Sequence, residues 1–140
     1  MIVRSVSPDA ALAACMAEMF GPHDVAGRDC CRTAGWAFER LFGVNPVTNA
    51  NYKTNWGALR YLARFGGAEA CHDALALAAG LVPCAPCSGV IGSIAVPVEA
   101  SPFGWVLGIN IQGNEWATKG PNGLCVLPHN CARAWGVSWE

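Results

Sequence analysis

The stretch that most limits what this chain can fold into lies past its midpoint, at Leu81-Val82-Pro83-Cys84-Ala85-Pro86-Cys87-Ser88-Gly89. Proline fixes φ and lacks a backbone donor, so a helix cannot run through a segment holding two of them. The stretch reads as a link between two halves, and the residues on either side of it follow different periods.

Before the link the pattern is helical. Ser7-Pro8-Asp9 supplies an N-cap, a proline at the first helical position and an acidic first turn, and Gly21-Pro22 supplies the stop. Leu12, Cys15, Met16, Met19 and Phe20 fall on one apolar face of this first helix. After a polar loop from Gly21 to Arg28, Asp29 caps a second helix from Cys30 to Phe42, closed by Gly43. Its apolar stripe is Cys30, Ala34, Ala37, Phe38 and Leu41. Val44 to Lys53 is loop. Thr54 or Asn55 caps a third helix from Trp56 to Phe65, ended by Gly66-Gly67, and a fourth runs from Ala68 to Ala79 before Gly80.

After the link come short strand-like runs bounded by Gly, Pro or Asn: Val90 to Val98, Trp105 to Gln112, Glu115 to Thr118 and Leu124 to Leu127. Ala132 to Trp139 is expected to seal the sheet. Helices followed by a meander predict an α+β fold, four N-terminal helices and then an antiparallel sheet of about five strands, in one domain over residues 1–140.

Composition narrows the class. Charged residues make up only 14% and apolar ones 53%, which suggests that part of the surface is covered by a partner. The net charge is −1 and no basic stripe occurs, which argues against nucleic acid as a partner. No apolar run approaches the roughly 20 residues of a membrane span, and Met1-Ile2-Val3-Arg4-Ser5 does not read as a signal peptide, so synthesis in a cytosol is expected. Most of the eight cysteines then read as reduced, small core residues.

Cys30 is the candidate nucleophile. At the first position of a helix, the positive end of the helix dipole favours thiolate over thiol. Cys31 points about 100° away from it on the helix, so at most one of the two faces a given cleft. Cys84-Ala85-Pro86-Cys87 admits three readings: half of a zinc or iron–sulfur site completed by Cys30-Cys31 or by Cys125 and Cys131, a local disulfide or redox pair, or loop cysteines. The last is preferred because a second Cys-x-x-Cys is absent, and no cofactor is expected. Trp36 and Trp56 read as core and Trp116, beside a turn, as an exposed contact, while Trp135 and Trp139 suit either a core cap or a partner anchor. Cys71 reads as a packed thiol, His72 as a surface or capped imidazole, and Arg32, Arg40, Arg60 and Arg64 as solvated helix faces.

Taken together, the Asp29-Cys30 helix, the Gly43-Val44-Asn45-Pro46 step, Tyr52 with Gly57-Ala58-Leu59-Arg60, and the Gly66-Gly67 stop resemble the tail-associated phage members of the papain-like, NlpC-type cell-wall peptidase superfamily. Gly92-Ser93-Ile94-Ala95-Val96 is similar to that superfamily's Gly-Asp-hydrophobic strand, with Ser93 in place of the Asp, and Arg133-Ala134-Trp135-Gly136-Val137 to the Ala-Trp-x-Val ending of the phage proteins. The resemblance implies a helix-start cysteine nucleophile, Cys30, with a histidine on an adjacent strand as its base. The family's Gly-His-hydrophobic-Gly strand corresponds here to Gly104-Trp105-Val106-Leu107-Gly108, and an indole N–H only donates. His129, with Asn130 beside it as orienter, is the substitute base. The implied function is a structural or assembly subunit of a tail tip or baseplate, inactive as a peptidase, made in the host cytoplasm and carried in the virion beside other tail-tip or hub proteins. The alternative is an active cysteine endopeptidase or amidase cutting peptidoglycan peptides during entry.

Overall fold

The structure is a computed structural model that describes residues 3–47, 50–85, 88–97, 101–128 and 131–138. Cys87, His129, Asn130 and Trp139 lie outside the described residues. Four helices come first: α1 (Pro8–Glu18), α2 (Cys30–Phe42), α3 (Asn55–Ala63) and α4 (Ala68–Ala78). Each of the first three begins where a side chain can take up an unpaired N–H of the first turn. Ser7 accepts from Ala10 N at 3.2 Å, Asp29 from Arg32 N at 3.0 Å, and Thr54 from Gly57 N at 3.0 Å. Gly43, with φ of 75°, ends α2 in the left-handed conformation that glycine takes without steric cost.

Six strands follow: β1 (Val82–Cys84), β2 (Ile91–Ala95), β3 (Trp105–Gln112), β4 (Glu115–Gly120), β5 (Gly123–Pro128) and β6 (Cys131–Gly136). They form one antiparallel sheet in the order β1-β6-β2-β3-β4-β5. The extra strand over the expected five is β1, in the stretch read as a plain link. Pro83 is tolerated because β1 is an edge strand, where a missing donor breaks no interior ladder. The final segment is not a seal: β6 inserts between β1 and β2, pairing Val82 with Gly136 and Ile91 with Trp135.

Three of the helices pack against the sheet, and α3 packs on α4. Helix α2 lies on β3 and β4, α1 on α2 and β3, and α4 on β3. Ala11, Cys15 and Met19 of α1, Ala34, Ala37 and Phe38 of α2, and Cys71 and Leu75 of α4 meet Leu107, Ile109 and Ala117 in the main core. Ile94, Val106, Trp116 and Ala134 form a smaller cluster. Several expected placements are corrected here. Met16 and Phe20 of the first helix's apolar face are exposed, because the face that docks is Ala11, Cys15 and Met19. Trp56 is 68% exposed and Trp116 only 1%, the reverse of expectation, since β4 lies inside the sheet while α3 presents Trp56 outward. Arg32 is buried rather than solvated: its guanidinium donates to the carbonyls of Ala50 at 2.7 Å, Val25 at 3.0 Å and Tyr52. Arg40 pairs with Glu18.

No helix among the described residues is long and apolar enough to cross a membrane.

Candidate functional site

The start of α2 faces a cavity of about 540 Å³. Asp29, Cys30 and Cys31 form one wall, Tyr52 and Leu62 another, His72 of α4 a third, and Phe103, Trp105 and Val106 close it from the sheet side. His23 and Asp24 from the loop before α2 also line it. That loop is held in place twice. Asp24 and Arg28 exchange backbone hydrogen bonds of 3.1 and 2.7 Å, and Arg28 donates to Glu18 O at 2.8 Å while its guanidinium stacks over Phe20, 4.1 Å from the ring centroid.

Asp29 uses both carboxylate oxygens. One caps α2 at Arg32 N, and the other accepts from the Tyr52 hydroxyl. Tyr52 itself lies against Arg32, whose guanidinium is 4.1 Å from its ring centroid. A carboxylate so committed is a structural clasp, and it also acts on the neighbouring sulfur. Burial, and secondly the negative charge of Asp29, push the Cys30 thiol up to about 12, with the Leu107 backbone only partly offsetting them. The helix-start thiolate expected from the dipole is therefore outweighed, and Cys30 is a neutral thiol at pH 7.

The two adjacent cysteines diverge, yet both line this one cavity, against the expectation that at most one would face a given cleft, because the cavity is wide enough to take in both sides of the helix start. Cys30 is half-buried and packs against the smaller apolar cluster. Cys31 turns the other way, and its sulfur lies 3.9 Å from His72 Nε2. His72 Nδ1 in turn lies 2.7 Å from Ser93 Oγ on β2. Cys31, His72 and Ser93 are all buried. His72 is thus not a surface imidazole, because α4 packs this side of the helix onto the sheet. Burial lowers its pKa from 6.5 to about 4, keeping it neutral. Its placement had a signal in the sequence: Ala68, His72 and Ala76 recur at i, i+4 and i+8, the stripe by which α4 docks, and all three are buried.

Of the residues singled out in the sequence, Cys30 lies at the cavity, as does Trp105 on β3. His129 and Asn130, offered as base and orienter, lie outside the described residues, so the base for Cys30 is not placed. Cys84 is a free thiol on β1, and Cys87 is likewise outside the described residues. Among the described residues no group of three or more His, Cys, Asp or Glu side chains is placed to hold a metal ion.

The fold and site define an α+β protein with a cysteine-bearing helix start facing a cavity. Residues 5–137 match a protein family described as "Domain of unknown function (DUF6950)", and the chain belongs to that family. No curated protein and no solved structure matches it.

Proposed function

We propose that the chain is a papain-like, NlpC-type domain serving as a structural or assembly subunit of a long-tailed phage tail tip or baseplate, with the peptidase chemistry of Cys30 given up. The observation that carries this reading is Trp105 on β3, which lines the cavity at the strand position where the base of Cys30 would stand. A papain-type nucleophile needs an imidazole within hydrogen-bond reach. Here the thiol is held neutral beside Asp29, and the strand position that would carry the base holds Trp105. The outer surface suits contact with other proteins: Met16, Trp56, Leu59 and Leu77 are large apolar side chains left exposed on three helices. Tail-tip or hub proteins are the partners this reading assigns, with synthesis in the host cytoplasm and residence in the virion.

Zymography on cell-wall substrate tests it, comparing wild type with Cys30→Ala. No clearing is expected from either protein. Clearing by wild type that disappears in the variant would establish the rival function, a cysteine endopeptidase or amidase acting on peptidoglycan, and would end the structural reading.

A further inference from the structure

One residue beyond the helix-start thiol, Cys31 has an imidazole within reach, which Cys30 does not have among the described residues. Its sulfur is 3.9 Å from His72 Nε2, and the opposite ring nitrogen is fixed by Ser93 Oγ at 2.7 Å. Three elements supply these groups: α2, α4 and β2. Their order, thiol then imidazole then orienting hydroxyl, is that of an activated nucleophile. Cys31 and His72 both line the 540 Å³ cavity, whose remaining walls include Leu62, Phe103, Trp105 and Val106.

We propose that Cys31, rather than Cys30 beside it on the same cavity wall, works with His72 and Ser93 as the thiol that accepts the acyl group of a compact ester bound in the cavity. Leu62, Phe103, Trp105 and Val106 give an acyl chain an apolar wall while Asp29, Tyr52, Ser101 and Lys119 also line the cavity, and the deep placement of the sulfur favours a small substrate over an extended peptide. Burial pushes the Cys31 thiol well above its ordinary range and keeps the imidazole in its free-base form at neutral pH, so the sulfur enters the step as a neutral thiol and His72 takes its proton as the bond to carbon forms. With the thiol donating to Nε2, Nδ1–H donates to Ser93 Oγ, which fixes tautomer and ring orientation.

The step balances without any further reactant than water. As Cys31 Sγ bonds to the carbonyl carbon, its proton passes to His72 Nε2. The ester C–O bond breaks, and the leaving alcohol takes that proton, leaving a thioester on Cys31. Water then attacks the thioester carbon while giving a proton to Nε2, the C–S bond breaks, and the departing sulfur recovers the proton as the carboxylic acid is released. Cys31 and His72 are catalytic residues in this scheme, and Ser93 is a positioning residue.

The test uses the full chain and p-nitrophenyl butyrate, following p-nitrophenol release and mapping the butyryl group by mass spectrometry after acid quench. The adduct is expected on Cys31, retained in Cys30→Ser and absent from Cys31→Ser. His72→Gln should slow acylation by about 100-fold, the usual contribution of a general base. Ser93→Ala should lower the acylation rate constant several-fold while leaving the half-saturating ester concentration unchanged. An adduct on Cys30 or elsewhere, no adduct at all, or wild-type rates in folded His72→Gln would overturn the assignment. If circular dichroism shows that His72→Gln does not fold, Ser93→Ala decides, and an unchanged rate constant in it overturns the assignment equally. The outcome is independent of the tail-tip reading, which concerns Cys30 and cell-wall substrate.

Discussion

At the scale of single residues, the environment of a side chain outweighs the preference of its position. Cys30 sits where a helix dipole stabilises a thiolate by a fraction of a kcal/mol up to about 2 kcal/mol. Desolvation and the adjacent carboxylate work against it, and they win, since the thiol is pushed up to about 12. His72 gives the clearest consequence for stability. Its pKa is about 4 folded against 6.5 unfolded, so the neutral ring favours the folded state above pH 6.5. As pH falls below 6.5 the unfolded chain takes up the proton first, and stability drains away until about pH 4, by roughly 3 kcal/mol in all. Urea unfolding across this range should show that loss in wild type. In His72→Gln the acid limb should be flatter by about that amount, and an unchanged limb would place the acid sensitivity elsewhere.

At the scale of elements, the ends of the helices are tied to distant parts of the chain. Lys119 of β4 is buried and its ammonium donates to Phe20 O at 2.7 Å and to Gly21 O, just past the end of α1. It thereby satisfies carbonyls of the turn that follows α1, close to the helix C-terminus where a cation is also favoured by the dipole. Lys119→Met keeps much of the apolar stem but leaves those carbonyls without a donor. A loss of about 2 kcal/mol is expected, read as a lower urea midpoint with unchanged slope. Helix α2 is fitted closely at its other side: a Cβ on Gly35 would stand 2.5 Å from Asn45 Oδ1 and 2.9 Å from Val47 Cβ. Gly35→Ala should therefore cost about 1 to 3 kcal/mol despite alanine's better helix propensity, a sign reversal that thermal unfolding can check.

At the scale of the molecule, α1, α2 and α4 share one core with β3 and β4, while the sheet is closed by β6 returning between β1 and β2. Helical and sheet halves so joined should unfold together. Far-ultraviolet circular dichroism reports mainly the helices, and in a Trp36→Phe, Trp56→Phe variant tryptophan fluorescence reports the sheet half, where Trp116 and Trp135 are buried. Coincident urea transitions by the two probes are expected, and separated transitions would divide the chain into independent units. The exposed apolar residues of α1, α3 and α4 are the other whole-molecule feature, and they accord with the low charge content read from composition.

What the sequence determined alone was everything decided within a few residues. Caps at Ser7, Asp29 and Thr54, the glycine stop at residue 43, and the change from helical to strand patterning near Gly80 all depend on neighbours one turn away. The divergence of Cys30 and Cys31 follows from helical geometry in the same way. The tertiary structure decided which side chains meet. β1 exists because β6 returns to pair with it, Trp116 is buried because β4 acquires neighbours on both sides, and Arg32 is buried because Val25, Ala50 and Tyr52 bring their carbonyls to it. The site shows the same division. The sequence located the helix start, but the docking of α4 on β3 brought the imidazole of His72 to Cys31 of α2 and Ser93 of β2, and such contacts between distant residues are fixed by packing rather than by local pattern.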